Sequence, residues 1–160
     1  MPAESRIYWD ANVLLSYIDG DQDRLPPIEE LLRRSRAGEV ELVTSTLTQV
    51  EVAFAPSEKE AGVLDDEIET AIDELWLPGS PIKVVELHAA VAAQARALMR
   101  TELAAGRSGL RASDGIHLAT AITMSVDDFH TYDQRLSGHA AGVAFPVREP
   151  FTPQGQLPGT

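Results

Sequence analysis

The sequence predicts an α/β fold with a mostly parallel central sheet. Short apolar segments typical of buried strands alternate with longer segments of helical periodicity, which is the pattern of β-α-β units. The length of 160 residues suits about one domain. Hydrophobic and charged fractions of 44% and 24% are typical of globular proteins. No apolar run approaches the ~20 residues that a membrane-spanning helix needs.

The first half of the chain alternates strand and helix patterns. In order, we expect a buried strand at 7–9, a helix that ends at Gly20, a helix from Pro26 to about residue 37, a strand at 39–45 and a helix at 46–54. The alternation of apolar and polar residues over 39–45 predicts the second strand. The helix at 46–54 is followed by Pro56, which a helix interior does not tolerate.

The second half continues the alternation. We expect a helix opened by a capping box at Ser57 and Glu60 and running to Trp76, a strand at 82–85, a helix from 89 to about 105, a helix at 113–124, a strand at 129–132 and a last strand at 143–145. Residues 106–112 form a loop with two glycines. Residues 148–160, rich in Pro and Gly, are expected to form a loose tail beyond a single domain at 1–147.

The chain is strongly acidic, with 25 Asp and Glu against 13 Lys and Arg and a formal net charge of −12. Such a surface repels nucleic acid at long range. The acids either form a solvated surface or gather at one place to hold a cation. The absence of cysteine excludes disulfides, thiolate catalysis and cysteine-based metal sites. No basic segment followed by an apolar one opens the chain, so we expect a cytoplasmic protein without a secretory signal.

Two acids directly follow predicted strands. Asp10 follows the strand at 7–9, and Asp133 follows the strand at 129–132. Ligand sites of parallel sheets lie beyond the carboxyl ends of the strands, where the strand order reverses. Each acid could instead be a helix N-cap, because Asp accepts hydrogen bonds from the free N–H groups there.

Two further acids lie on predicted inward faces of helices. Glu51 falls within an apolar stripe of Leu47, Val50 and Phe54, unless the helix rolls enough to expose it. Asp114 shares a face with His117, Leu118, Ala121 and Ile122 by helical spacing, and Ser113 could cap that helix and leave Asp114 free. Alternatively, Asp114 only offsets the helix dipole.

Four carboxylates in one place repel each other and raise each other's pKa unless a base or a cation neutralises them. No Lys lies within five residues of any of the four. An all-oxygen site without cysteine suits Mg²⁺ or Mn²⁺ rather than Zn²⁺.

The basic and imidazole residues offer weaker candidates. Arg107 and Arg111 flank the loop before Asp114 and could contact phosphate, although both also fit a solvated loop. His117 could be a general base, but on an apolar face it is better explained as a packed or hydrogen-bonding side chain. The other three histidines show no metal-ligand spacing and are treated as structural.

Four segments, WDANVLLSYID, TLTQVEVAF, ASDGIHLATA and HTYDQRL, resemble in this order the motifs of PIN-domain ribonucleases. The resemblance is greatest to the VapC-type toxins of toxin–antitoxin pairs, and it spans about residues 7–147. It implies a three-layer α/β/α sandwich. It also implies an RNA substrate, a homodimer and a cognate antitoxin that covers the site.

The resemblance also implies roles for individual residues. The acidic metal site would consist of Asp10, Glu51, Asp114 and Asp133, with Asn12 and Thr131 as supporting polar residues. A divalent ion in such a site lowers the pKa of bound water and polarises the phosphoryl oxygen. We expect Asp10 and Asp114 to be direct ligands, and Glu51 and Asp133 either to be ligands through water or to orient the attacking water. The products would carry 5′-phosphate and 3′-hydroxyl ends.

Two other functions stay open on the residues alone. A phosphorelay receiver domain also gathers acids after strands, but it would need a Lys late in the chain, and both lysines, Lys59 and Lys83, come earlier. A non-catalytic binding module would keep the fold without the chemistry. No phosphate-binding glycine loop or serine nucleophile elbow is present.

Overall fold

The computed structural model describes residues 3–152 and contains a five-stranded sheet. Its strands are β1 (Ser5–Trp9), β2 (Val40–Ser45), β3 (Ile82–Val85), β4 (Asp128–His130) and β5 (Val147–Arg148). They lie in the order β3-β2-β1-β4-β5, and every neighbouring pair is parallel. The predicted parallel sheet is therefore confirmed.

The strand order reverses at β1. From β1 the chain adds β2 and β3 on one side, and it then returns to add β4 and β5 on the other. Trp9, the last residue of β1, is in register with His130, the last residue of β4. The crevice of the sheet therefore opens between Asp10 and the segment that follows His130.

Helices cover both faces of the sheet. In chain order they are α1 (Ala11–Asp19), α2 (Leu25–Arg36), α3 (Thr46–Glu51), α4 (Pro56–Ala61), α5 (Asp66–Glu74), α6 (Ala89–Ala104), α7 (Ala112–Thr123) and α8 (Gln134–Ser137). Ile7 and Trp9 pack in one hydrophobic core with α1, α2 and α5. Tyr8 points to the opposite core with residues of α6, α7 and α8. This alternation along β1 produces the expected three-layer sandwich.

The predicted helix from Ser57 to Trp76 is wrong, because two helices occupy this region. Gly62 ends α4 in the left-handed conformation at φ 68°. The side chain of Asp65 then accepts the backbone N–H of Glu67 and caps α5. The predicted capping box is also displaced. Glu58 accepts the N–H of Ala55 at 3.0 Å and, beyond the helix, the N–H of Asp65 at 3.0 Å.

The end of the described chain also differs from expectation. Residues 140–142 form a 3-10 turn, and the last strand is Val147–Arg148 rather than 143–145. Residues 147–148 form the strand because they pair with β4. Phe129 is in register with Val147, and the Arg148 guanidinium binds the Asp128 carboxylate. Most of the expected loose tail, residues 153–160, lies outside the described residues. Within residues 3–152, no helix combines the length and apolar character required to cross a membrane.

Candidate active site

All four sequence-predicted acids line one pocket at the carboxyl edge of the sheet. The pocket has a volume of about 250 Å³ and opens beside the crevice between β1 and β4. Its lining consists of Asp10, Ala11, Asn12, Leu15, Glu51, Arg111, Ser113, Asp114, His117 and Asp133. Acids far apart in the sequence therefore meet, because each follows a strand or lies near the end of a helix that abuts the crevice.

Asp10 is the most deeply buried of the four acids. Its Oδ2 accepts a hydrogen bond from Asn12 Nδ2 at 3.3 Å, whereas its Oδ1 is buried without a hydrogen-bond partner among the described residues. Burial raises the pKa of Asp10 from 3.8 to about 7, against the opposing effects of Thr131 and His117. A buried oxygen without a donor carries a cost in free energy, which a donor or a cation at that oxygen would offset.

Asn12 and Thr131 join the two strand ends that border the crevice. Asn12 donates from Nδ2 to Thr131 Oγ1 at 3.1 Å, and its Oδ1 accepts the N–H of Tyr132 at 2.8 Å. Thr131 Oγ1 also accepts the N–H of Asp133 at 3.0 Å. This arrangement fixes the start of α1 against the segment after β4, which agrees with a supporting position for both residues.

Glu51 reaches the pocket by a different route from the one its sequence pattern predicts. The helix ends at Glu51 itself, and it buries Thr48 rather than the predicted stripe. Val50 and Phe54 are 72% and 43% exposed, so the expected inward face is wrong. Glu51 lies at the edge of the buried face, one turn after Thr48, because helical residues three apart are neighbours.

The Glu51 carboxylate is held by a buried histidine. Its Oε1 lies 2.5 Å from His117 Nε2, and His117 Nδ1 lies 2.6 Å from the hydroxyl of Tyr8. His117 is 3% exposed and lies one turn after Asp114 on α7. The expected hydrogen-bonding role of His117 is therefore observed, but its partners are 66 and 109 residues away in the sequence.

Asp114 caps its own helix. The helix begins at Ala112, and Asp114 Oδ2 accepts the N–H of Arg111 at 3.4 Å. The expectation that Ser113 would cap the helix and leave Asp114 free is wrong. The guanidinium of Arg111 also lies near the same oxygen, with Nε at 3.5 Å.

Asp133 combines the two roles that its position allowed. It faces the pocket, and it also caps α8 by accepting the N–H of Arg135 at 3.0 Å. The Arg135 guanidinium pairs with both carboxylate oxygens, and Arg111 Nη2 lies 3.7 Å from Oδ2. Arg111 thus lies between Asp114 and Asp133, where it partly neutralises both.

Arg107 does not face the pocket, which corrects its expected position. Its guanidinium donates two hydrogen bonds of 2.8 Å to the buried carboxylate of Glu102. His139 Nδ1 lies 2.6 Å from the same carboxylate. Of the two loop arginines, only Arg111 lies at the site.

The donor set fits a hard divalent cation, because it offers carboxylate oxygens and leaves Asp10 Oδ1 without a partner. Within residues 3–152, however, no three acidic or histidine side chains stand close enough to form a ready-made metal site. Three of the acids are turned toward Arg111, Arg135 or His117 instead. Cation binding by Asp114 and Asp133 would therefore require these two carboxylates to exchange their arginine partners.

Comparisons with known proteins agree with this fold. The family model described as PIN domain matches residues 7–141. The chain is similar to VapBC2 from Rickettsia felis bound to a promoter DNA fragment, with 13% identity, coverage of 90% of this chain and 97% of that chain, and a TM-score of 0.62. It is similar to FitAB bound to the IR36 DNA fragment, with 18% identity, coverage of 94% and 99%, and a TM-score of 0.65.

A third similar structure is VapC20 from Mycobacterium tuberculosis, described as a sarcin-ricin loop cleaving toxin, with 15% identity, coverage of 86% and 96%, and a TM-score of 0.61. No curated protein matches the sequence significantly. The family match covers most of the chain, and the sheet order and the acidic pocket are consistent with it. The chain therefore belongs to the PIN-domain family, and its fold is that of the VapC-type toxins.

Proposed function

We propose that the protein is a Mg²⁺- or Mn²⁺-dependent endoribonuclease that acts as the toxin of a toxin–antitoxin pair. The observation that carries this proposal is the convergence of four carboxylates in one pocket, with a buried Asp10 oxygen that lacks a donor. Membership in the PIN family and the fold similarity to an RNA-cleaving toxin support it. The same membership favours a nuclease over a receiver domain. An RNA substrate also implies action in the cytoplasm.

Each residue has a specific task in this proposal. A bound divalent ion would lower the pKa of water and polarise the scissile phosphoryl group. Asp10 and Asp114 would hold the ion directly, while Glu51 and Asp133 would bind it through water. Glu51 would orient the attacking water and accept its proton. Arg111, released from its carboxylate partners, would contact the substrate phosphate. Cleavage would leave 5′-phosphate and 3′-hydroxyl ends.

The test is cleavage of end-labelled RNA by the purified protein with Mg²⁺, Mn²⁺ or EDTA. We expect Asp10→Asn and Asp114→Asn to abolish metal-dependent cleavage while retaining the fold. Asp66→Asn serves as a matched control, because Asp66 is exposed on α5, away from the pocket. Wild-type cleavage rates in both site variants would refute the mechanism. Absence of turnover with any metal would favour the non-catalytic binding module.

An apolar groove beside the pocket is the surface on which we propose that the antitoxin binds. Phe54 and Leu64 are exposed there, and the groove encloses about 270 Å³ against Trp76. Three acids also line it, namely Glu58, Glu69 and Asp73. An apolar groove with acidic walls complements an amphipathic segment that carries basic residues.

This proposed interface has its own test. Leu64→Glu should weaken the affinity for the cognate antitoxin at least tenfold in calorimetry. Leu103→Glu, at an equally exposed leucine on α6, is the control and should leave the affinity unchanged. Equal losses in both variants would refute the assignment of this groove. We also propose that the toxin is a homodimer, which sedimentation equilibrium would test.

A further inference from the structure

A buried pair of side chains, Tyr8 and His117, lies directly behind Glu51. Tyr8 is on β1 and fully buried, and His117 is on α7 and 3% exposed. The two hydrogen-bonded distances, 2.6 Å from Tyr8 to His117 Nδ1 and 2.5 Å from His117 Nε2 to Glu51, form one continuous chain. This chain connects the centre of the sheet to the pocket.

The hydrogen-bond network assigns the protons in this chain. A tyrosine hydroxyl carries its proton at neutral pH. Two threonines are close to that hydroxyl, but their protons are committed elsewhere. Thr44 donates to the carbonyl of Trp9, and Thr48 therefore donates to Thr44. Because His117 Nδ1 is the one hydrogen-bond partner of the Tyr8 hydroxyl among the described residues, we assign the Tyr8 proton to this contact.

A neutral imidazole carries one N–H, and the nitrogen that accepts a hydrogen bond cannot carry it. With Nδ1 accepting from Tyr8, the ring proton of His117 resides on Nε2. That N–H then donates to Glu51 Oε1. Tyr8 therefore determines the tautomer of His117, and the tautomer determines which group His117 presents to the pocket.

Glu51 depends on this contact for its orientation. It is the last residue of a six-residue helix, its side chain is 30% exposed, and the residue after it has left the helical conformation. His117 supplies the one side-chain hydrogen bond that the Glu51 carboxylate makes among the described residues. A glutamate at a helix end without this partner would populate several rotamers.

We infer that Tyr8 and His117 are positioning residues that hold Glu51 by Oε1 and leave Oε2 directed to the cation or its water. This inference rests on the proposed function for its use of Glu51, but the hydrogen-bond chain itself exists in the metal-free protein. A purely structural histidine at this place would contribute packing alone. The positioning role and the packing role predict different effects of conservative substitutions at His117.

Metal affinity separates the two roles. We expect His117→Leu, which keeps the volume and removes the donor, to weaken Mn²⁺ binding at least ~10-fold in calorimetry, as is usual for groups that orient metal ligands. His117→Gln keeps an N–H donor and should retain most of the affinity. Tyr8→Phe should give an intermediate loss. Tyr17→Phe is the matched control, because Tyr17 packs in the other core and does not line the pocket.

A double-mutant cycle shows whether His117 acts through Glu51. In a Glu51→Ala background, His117→Leu should cause no further loss of Mn²⁺ affinity. Thermal unfolding of each variant reports whether the fold is retained. An equal loss in both backgrounds, or the same loss in His117→Gln as in His117→Leu, would overturn the inference.

The tautomer can be measured without metal or RNA. Nitrogen-15 NMR of the metal-free wild-type protein should show His117 protonated on Nε2, and Tyr8→Phe should shift the ring toward a mixture of tautomers. Protonation on Nδ1 in the wild type would overturn the inference whatever the activity. Conversely, an Nε2–H tautomer in a protein that neither binds Mn²⁺ nor cleaves RNA would refute the proposed function and leave the hydrogen-bond chain supported.

Discussion

The neutral variant Asp10→Asn should be more stable than the wild-type protein at pH 8 in the absence of metal. Burial raises the pKa of Asp10 from 3.8 to about 7, so the folded state resists ionisation that the unfolded state accepts. The pH dependence of the folding stability follows from this shift. A carboxyl whose pKa is raised on folding has no effect below pH 3.8, destabilises the fold progressively between pH 3.8 and about 7, and has its full effect above that. Asparagine removes the charge and keeps the shape.

The magnitude follows from the same pKa values. A rise from 3.8 to about 7 corresponds to about 4 kcal/mol at ~1.4 kcal/mol per pH unit. This is an upper limit, because the unpartnered Oδ1 position also leaves the new amide incompletely bonded. For a chain of this length, 1 kcal/mol changes the Tm by roughly 2–4 °C, so the variant should melt at most roughly 16 °C higher.

Urea unfolding in EDTA at several pH values between 4 and 8 measures this difference. The gap between Asp10→Asn and wild type should be largest at pH 8 and disappear near pH 4. Added Mn²⁺ should stabilise the wild type by ~3 kcal/mol at one hundred times its Kd and leave the variant nearly unchanged. The reasoning fails if Asp10→Asn is no more stable than wild type at pH 8, or if the gap does not depend on pH.

Two further predictions concern the charged groups around the loop before α7. Glu102→Gln should lower the free energy of unfolding at pH 7 by ~3 kcal/mol, because Arg107 lowers the pKa of Glu102 from 4.5 to about 2. This stabilisation by the Glu102 carboxylate should fade as the pH falls from 4.5 toward 2. Urea unfolding measures the difference, with the exposed Glu86→Gln as the control. Arg111→Ala should tighten Mn²⁺ binding severalfold, because it frees Asp114, and should weaken RNA binding. Calorimetry measures the Mn²⁺ affinity of this variant, and filter binding measures its RNA affinity. Weaker Mn²⁺ binding than in the wild type would contradict the role of Arg111 as a counter-ion of Asp114.

The position of the site could be predicted from the sequence because two strands end in an acid. Apolar strands at 7–9 and 129–132 followed at once by Asp10 and Asp133 predict a parallel sheet with an acidic crevice, and the structure has both acids in one pocket. That argument needs only the direction of the strands. It does not depend on the bounds of any helix, so the misplaced helix ends did not affect it.

The buried face of the helix predicted at 46–54 could not be predicted in the same way. The pattern of Val50 and Phe54 indicates an apolar stripe, but both side chains are exposed in this chain. Helical periodicity reports that one face avoids water, and it does not say what covers that face. A surface that is buried only in a complex therefore gives the same signal as a core.

The side chains that pair with these acids could not be predicted from the sequence either. Arg107 and Arg111 lie in the same short loop, yet Arg107 binds the buried Glu102 and Arg111 reaches Asp114. The choice depends on the end of α6, where Glu102 is already committed to the interior. Contacts over more than 60 residues, such as those of His117 with Glu51 and Tyr8, leave no local pattern.

The four carboxylates of the pocket differ in their partners, and this difference suits the proposed cation binding. Asp114 and Asp133 are paired with Arg111 and Arg135, which are 62% and 53% exposed. Exposed ion pairs contribute ~0–1 kcal/mol, so the proposed cation would displace them at little cost. Asp10, in contrast, is destabilised by burial and has an oxygen without a donor, so it gains most from the cation. The hydrogen bond between His117 and Glu51 must instead persist when the cation binds. His117 is buried, and it fixes the orientation of Glu51 that the proposed hydrolysis requires.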